Sequence, residues 1–239
     1  MPSRDDTRYD STMFVIFLIL LVLAIVFLPG LWVKRVLKRY SNPADRYSGT
    51  GAELARHLLD TNNLQHVAVE ITEHGDHYDP EKKAVRLTED KYNSGSLTAI
   101  TVAAHEVGHA VQDAEGYAPL RIRGLMVRAS QKIERIGAGA LIISPFIGAI
   151  TRAPGLSFLM FAAGFLTLAS STLVHFVTLP TEFDASFRRA LPQLEKHKIL
   201  IKVDKPHAHR LLTAAALTYV AASLMSLLNI ARWWAILRR

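Results

Sequence analysis

The chain of 239 residues is half hydrophobic and has a mean hydropathy of +0.17, which is more apolar than a soluble domain of this length requires. It contains no cysteine, so disulfides and thiolate metal sites are excluded and any metal must be held by His, Asp, Glu or water. The formal net charge is +7, but the Lys and Arg residues cluster beside apolar segments without interleaved aromatic residues. We therefore expect no nucleic-acid binding and interpret the positive charge as a signal of membrane orientation.

The first element is a predicted N-terminal transmembrane anchor at residues 12–33. Residues 13–28 contain no charged side chain, and Trp32 lies where an interfacial aromatic residue is expected. A cleaved signal peptide is the alternative, but the preceding segment is rich in aspartate and no small-x-small cleavage site follows. Four basic residues come directly after the span: Lys34, Arg35, Lys38 and Arg39. They predict that the C-terminal end of the anchor faces the cytoplasm.

Residues 40–135 contain no long apolar run and predict a water-exposed domain with both helices and strands. The sequence TGAE at 50–53 has the spacing of a capping box and predicts a helix that ends near Asn62. Apolar residues alternate with other residues at 67–71 and at 84–88, which predicts two strands that form a hairpin.

The next helix, for which Ser96 is a typical N-cap, carries the sequence HEVGH at residues 105–109. Residues four apart lie on one face of a helix, so His105 and His109 can bind the same metal ion. Glu106 lies beside that face, where its carboxylate could take a proton from a metal-bound water. A helix that carries these residues without a metal is the alternative. The apolar flanks would then bury three polar groups, whereas a metal gives all three a partner.

Two further spans are predicted at residues 136–179. Before them, residues 119–135 alternate apolar side chains with arginine and lysine, which is typical of a basic helix that lies along anionic headgroups. The segment 136–151 is apolar but short and contains Pro145, so it either crosses the membrane or forms a re-entrant segment. The segment 155–179 is long enough to cross.

A cytoplasmic segment at 180–210 is predicted to contain the third metal ligand, before a last span at 211–231. A catalytic zinc site usually takes three protein ligands and leaves one position for water. Glu182 is the candidate, because it comes directly after a span and because Pro180 and Thr181 are typical of a helix start. If both earlier segments cross the membrane, Glu182 returns to the side that holds the two histidines.

If the metal-bound water attacks a carbonyl group, the oxyanion of the tetrahedral intermediate also needs a hydrogen-bond donor. Three residues are candidates, either as this donor or as partners of the metal ligands: His77, Tyr78 and His175. His77 and Tyr78 lie in a polar run typical of a turn. His175 lies two helical turns before Glu182, near the end of a span, where a histidine is often functional.

Four stretches of the sequence resemble the YugP-like neutral zinc metallopeptidases, a family of small bacterial membrane proteins. They are DHYDP at 76–80, VAAHEVGHAVQ at 102–112, LPTEFDAS at 179–186 and AAALTYVA at 214–221. The resemblance implies a membrane-integral zinc peptidase in which His105 and His109 bind Zn²⁺ and Glu106 is the catalytic glutamate.

The chain is also distantly similar to the HtpX and CAAX-processing peptidases, in which a glutamate on a downstream helix supplies the third ligand. That similarity implies Glu182 as the third ligand here. Those relatives carry an aspartate four residues after the glutamate, where this sequence has Ser186. Asp184 is the candidate to replace that aspartate, although it lies on another face of the helix.

We therefore expect a mainly α membrane protein with about four transmembrane helices and a small α+β, zincin-like domain that carries the HExxH helix. The expected function is hydrolysis of peptide bonds in a protein or peptide substrate, with Zn²⁺ as cofactor, Glu106 activating a zinc-bound water, and the lipid bilayer as the other partner. The expected location is the bacterial inner (plasma) membrane, multi-pass, with the active site facing the cytoplasm. The alternatives are a non-catalytic membrane scaffold with a structural metal site and an interaction protein without a metal.

Overall fold

The computed structural model describes residues 4–227, which form a mainly helical protein with a small mixed sheet. The helices are α1 (Arg4–Arg39), α2 (Gly51–Thr61), α3 (Glu89–Tyr92), α4 (Leu97–Ala114), α5 (Ala118–Thr151), α6 (Pro154–Phe183), α7 (Leu191–Lys196) and α8 (Lys205–Leu227). A π-helix (Asp184–Ala190) joins α6 to α7, and a 3₁₀-helix (Lys202–Asp204) precedes α8. The strands are β1 (Ala68–Ile71), β2 (His77–Asp79) and β3 (Ala84–Leu87).

The main hydrophobic core lies around α4, which packs against α2, the sheet, the π-helix and α8. Every residue of α4 from Leu97 to Gln112 is buried, so its polar side chains must find partners inside the protein. The C-terminal part of α1 reaches the same core through Val33 and Val36. One helix therefore runs from the apolar N-terminal segment directly into the core that surrounds α4.

The predicted helix after the capping box is confirmed. The Thr50 hydroxyl accepts from the Glu53 backbone N–H at 3.2 Å, and the Glu53 carboxylate accepts from the Thr50 N–H at 2.8 Å. Both contacts satisfy N–H groups that have no partner within the helix. The apolar face of α2 packs on α4 and buries Leu54, Leu58 and Leu59.

The predicted hairpin of residues 67–71 with residues 84–88 is wrong. The two strands are parallel, with Ala68 opposite Ala84 and Ile71 opposite Leu87. The polar connection between them forms the short strand β2, which pairs antiparallel with β3. The predicted hairpin had assigned that antiparallel pairing to β1. The strand order is β1-β3-β2, so β2 lies at an edge of the sheet.

Helix α5 contains two segments that the sequence suggested were separate. It runs without interruption from the basic region 119–135 into the apolar region 136–151 and passes through Pro145. The predicted boundary between the water-exposed domain and the next span therefore falls inside a single helix.

Helices α5 and α6 pack closely against each other as a helical hairpin. The turn between them includes Arg152, whose φ of 53° is in the left-handed region. Near the turn, the Ser157 hydroxyl donates to the Ser144 carbonyl oxygen at 2.7 Å. This contact ties the first turns of α6 to α5.

The prediction that a new helix starts at Pro180 and Thr181 is wrong. Helix α6 continues through both residues to Phe183 and passes directly into the π-helix. The backbone N–H of Asp184 bonds to the carbonyls of Pro180 and Thr181, so helical hydrogen bonding resumes as soon as the proline is passed. A π-helical turn inside a longer helix is frequently found at functional sites.

Among residues 4–227, the helical stretch that is long and apolar enough to cross a membrane is Met13–Arg39. The prediction of about four spans goes beyond that finding. The last predicted span, 211–231, begins inside α8, and its final residues lie outside the described part of the chain. The predicted domain boundaries stay predictions.

Candidate metal centre

Three buried side chains from distant parts of the sequence meet beside α4. The Nε2 atoms of His105 and His109 lie 3.3 and 3.1 Å from Oε2 of Glu182. The two histidines lie one turn apart on α4, and Glu182 comes from the last turn of α6. Each of the three residues is at most 3% exposed. The structure thus brings together the two histidines and the glutamate that the sequence singled out.

The hydrogen bonds around His105 assign its tautomer. The Ser186 hydroxyl has one hydrogen, and it donates that hydrogen to the carbonyl of Leu212 at 3.1 Å. Ser186 Oγ therefore accepts from Nδ1–H of His105, which lies 2.9 Å away. Nε2 then carries a lone pair that faces Glu182. Ser186, four residues after Glu182, thus holds His105 in place.

Gln112 fixes His109 in the same way. Both amide hydrogens of Gln112 are used, because Nε2 donates to the Thr181 carbonyl at 2.9 Å and to the Asp184 carboxylate at 2.8 Å. Its Oε1 therefore accepts from Nδ1–H of His109 at 2.9 Å. The Nε2 lone pair of His109 also faces Glu182. Asp184 thus lies behind the ligands and reaches His109 through Gln112.

A divalent cation fits this arrangement. Two imidazole lone pairs and a carboxylate converge without a hydrogen between them, which is repulsive unless a cation lies among them. Ligand atoms bound at about 2.0–2.2 Å to a tetrahedral zinc lie roughly 3.3–3.6 Å apart, close to the observed 3.1 and 3.3 Å. All three ligand types are common in zinc sites.

Glu106 lies next to the three residues and is 5% exposed. Burial raises the pKa of Glu106 to about 7. A carboxylate with a pKa near neutrality is suited to accept and return a proton. The position of Glu106 on α4 thus gives the centre a proton acceptor beside its ligands.

A cavity of about 820 Å³ lies next to the centre. Glu106 and His109 line it, together with Tyr219 of α8. Residues 78–81, at and just after the end of β2, also line it, as do residues between 118 and 128 at the start of α5. The cavity is large enough for a ligand of drug or peptide size.

The three remaining candidates from the sequence have different surroundings. Tyr78 lines the cavity, but its hydroxyl donates to Asp113 at 2.7 Å. Nδ1 of His77 lies 2.8 Å from the Gly75 carbonyl, to which it can only donate. The side chain of His175 lies outside the described part of the structure.

Sequence reasoning missed three residues at the centre. Gln112 lies three residues after His109 on the same helix face, a spacing that could have identified it. Arg123 was assigned to a basic helix face along lipid headgroups, but its Nη1 lies 2.8 Å from Oε1 of Glu182. The ring of Tyr219 lies 4.8 Å from the Arg123 guanidinium. Neither Arg123 nor Tyr219 lies at a characteristic interval from HEVGH, so spacing in the sequence does not identify them.

Comparisons with known proteins agree with this geometry. Residues 14–238 match the family described as "Putative neutral zinc metallopeptidase". The chain is 36% identical over 225 residues to the "Putative membrane protease YugP" of Bacillus subtilis (strain 168), which covers 92% of this chain and 95% of that protein. No solved structure matches the chain. The family implies Zn²⁺ as the cofactor, and the three converging ligands offer a site for it. The chain belongs to the neutral zinc metallopeptidase family.

Proposed function

We propose that this protein is a membrane-integral, zinc-dependent endopeptidase that hydrolyses peptide bonds at the cytoplasmic surface of the bacterial plasma membrane. The observation that carries the proposal is the convergence of two imidazole lone pairs and the Glu182 carboxylate beside Glu106, at the wall of a large cavity. Membership of the zinc metallopeptidase family and the similarity to a protein named as a membrane protease support it.

In this proposal His105, His109 and Glu182 hold Zn²⁺ and Glu106 is the catalytic base. The metal, when bound, supplies a Lewis acid that polarises the scissile carbonyl and acidifies water. Glu106 takes a proton from the attacking water, whose oxygen bonds to the carbonyl carbon. Glu106 then returns the proton to the leaving amine as the C–N bond breaks.

The walls of the cavity suggest an extended peptide with apolar side chains as the substrate. One wall includes residues at the end of β2, an edge strand, and an edge strand can pair with an extended peptide through backbone hydrogen bonds. The lining also includes Leu120, Ile122, Leu125 and Val127 of α5. These side chains favour an apolar residue close to the cleaved bond.

The proposal includes about four spans: residues 12–33, two at 136–179 and one at 211–231. Large apolar side chains are exposed along the second half of α5 and along α6, among them Ile136, Phe146, Ile150, Phe158 and Leu166. A surface of this kind is unfavourable in water and is suited to lipid. With both helices crossing, the domain at 40–135 and the segment at 180–210 lie together in the cytoplasm.

The function is tested with Glu106→Gln, which keeps the size of the side chain but cannot accept the proton. Wild-type protein and variant are purified with zinc, and their metal content and cleavage of casein or peptides are compared. We expect one zinc in each and cleavage that falls by about 10²–10⁴-fold in the variant. Zinc in both proteins without cleavage by either would support a scaffold with a structural metal, and no zinc in either would exclude the peptidase.

The topology is tested with single cysteines, because the chain has none of its own. Arg152→Cys lies in the turn between α5 and α6, and Lys202→Cys lies in the exposed 3₁₀-helix. A membrane-impermeant maleimide is added to cells in which every layer outside the plasma membrane is permeable to it. We expect it to label Arg152→Cys and not Lys202→Cys. Equal protection of both positions would contradict two crossings between residues 136 and 179.

A further inference from the structure

We infer that Arg123 is a catalytic residue, which donates hydrogen bonds to the substrate carbonyl oxygen as that oxygen becomes negative in the transition state. The inference rests on the proposed peptidase function. Peptide hydrolysis gives the carbonyl oxygen a negative charge, and a preorganised cation or N–H donor at that position lowers the barrier.

Arg123 lies at the wall of the cavity beside the metal centre. It belongs to the second turn of α5, and it lines the same cavity as Glu106 and His109. Its side chain is 16% exposed, so it is largely shielded from water and yet borders the space where a substrate would bind. A charge acts more strongly in such a partly dry site than in water.

The guanidinium of Arg123 is held on two sides. Its Nη1 lies 2.8 Å from Oε1 of Glu182, and its Cζ lies 4.8 Å from the centre of the Tyr219 ring. Both contacts reduce the freedom of a long side chain, and a donor that is already in place needs no reorganisation during the reaction. A guanidinium has five N–H donors, so the contacts of Arg123 with Glu182 and Tyr219 leave further donors for a substrate.

Three other donors that line the cavity are less suited to this role. The hydroxyl of Tyr78 donates to Asp113. Arg128 is exposed and pairs with Glu81, which also lines the cavity, at 3.3 Å. Arg121 is exposed to water, which weakens its effect on a charge inside the cavity. Arg123 combines shielding from water with contact to a metal-ligand residue.

The ion pair also defines a competing role. Arg123 could act only by holding Glu182 in place, in which case its loss would lower zinc affinity and would affect activity through the metal. A catalytic role predicts a different result. The interaction then strengthens only in the transition state, so its loss lowers kcat while KM and zinc content stay close to wild type.

The experiment compares wild type, Arg123→Gln and Arg123→Lys, with Lys132→Gln as a control that removes a positive charge from an exposed site on the same helix. Zinc content, kcat, KM and the inhibition constant of a phosphinic peptide that mimics the tetrahedral intermediate are measured for each. Since Arg123→Gln leaves Glu182 without its ionic partner, Arg123→Lys keeps the test informative if the first variant is unstable.

For Arg123→Gln we expect one zinc per chain, a KM within about threefold of wild type and a kcat lower by roughly 10²–10³-fold. The inhibition constant of the phosphinic peptide should rise by the same factor, as required for an interaction made in the transition state. Arg123→Lys should recover part of the loss, and Lys132→Gln should behave as wild type.

Two results would overturn the inference. The first is loss of zinc in parallel with loss of activity in both arginine variants, which would make Arg123 a positioning residue for Glu182. The second is a kcat or an inhibition constant of Arg123→Gln that matches wild type. Failure of the proposed function is recognised separately, because wild-type protein with bound zinc would then show no cleavage above that of Glu106→Gln.

Discussion

Gly108 is the position at which a single methyl group should disable the metal centre. It lies between Glu106 and His109 on α4, where the π-helix approaches closely. A Cβ atom built at Gly108 would lie 2.6 Å from the carbonyl oxygen of Ala185. Ala185 lies between Asp184 and Ser186, so the clash falls on the segment that holds both histidines from behind.

The size of the effect follows from these distances. A carbon atom and a carbonyl oxygen approach to about 3.3–3.6 Å, so α4 and the π-helix would have to separate by roughly 0.7 Å. Zinc sites tolerate deviations in ligand distance of only about 0.2 Å. Alanine stabilises a helix by about 1 kcal/mol relative to glycine, whereas overpacking costs about 1–3 kcal/mol. Folding should thus be weakened modestly, and zinc binding strongly.

The assay measures zinc content and competition with a chelator for Gly108→Ala, together with thermal unfolding. We expect zinc affinity to fall at least about tenfold, the lower limit for loss of a group that supports a ligand, and cleavage to fall with it. Gly139→Ala is the control, because a Cβ there meets no atom within 4 Å. Zinc affinity and cleavage at wild-type level in Gly108→Ala would refute the reasoning.

Two further predictions concern buried polar contacts. Gln112→Leu removes the acceptor for His109 Nδ1–H and should weaken zinc binding by about 10–100-fold, whereas Gln65→Leu at the surface should leave it unchanged; equal affinities would contradict the assigned role. Burial opposes ionisation of Asp204, but its contacts with Arg46 and Tyr47 outweigh it and lower its pKa. Asp204→Asn should therefore destabilise metal-free protein by about 1–3 kcal/mol near neutral pH. Because the folded pKa lies below the ordinary value of 3.8, that loss should begin to shrink as the pH falls below 3.8 and should vanish below the folded pKa. A difference in melting temperature that does not change as the pH is lowered through this range would refute it.

Features encoded by short-range spacing could be predicted from the sequence. The capping box at 50–53 and the N-cap at Ser96 lie where the spacing placed them. The helical face shared by His105 and His109 depends only on the four-residue interval between them. Each of these features is stabilised by contacts within one turn of helix, so neighbouring residues contain the necessary information.

The pairing of the strands could not be predicted in the same way. Alternation of apolar residues identified β1 and β3 but does not state which strand pairs with which. The decisive element is β2, a strand of three residues inside a polar run. Polar contacts stabilise this arrangement, since Asp76 accepts from the backbone and hydroxyl of Thr88 and Asp79 pairs with Arg86.

The surroundings of the metal ligands were only partly predictable. Ser186 and Asp184 were noticed because they follow Glu182 at short intervals, but their separate partners, His105 and Gln112, depend on how the π-helix faces α4. The π-helix changes which side chains share a face, because its repeat is longer than that of an α-helix. A face predicted from α-helical spacing alone was therefore unreliable there.

The place of Arg123 beside Glu182 follows from the lengths of the α5–α6 hairpin. From Arg123 to the end of α5 at Thr151, and from the start of α6 at Pro154 to Glu182, the chain runs through about 28 residues in each arm, or roughly 42 Å at 1.5 Å per residue. Because the two antiparallel helical arms are equally long, Glu182 at the end of α6 lies at the same height along the hairpin as Arg123 in α5. The Arg123 guanidinium and the Glu182 carboxylate can therefore meet. The contact at 2.8 Å thus depends on the matched lengths of two helices, a property that spacing relative to HEVGH does not contain.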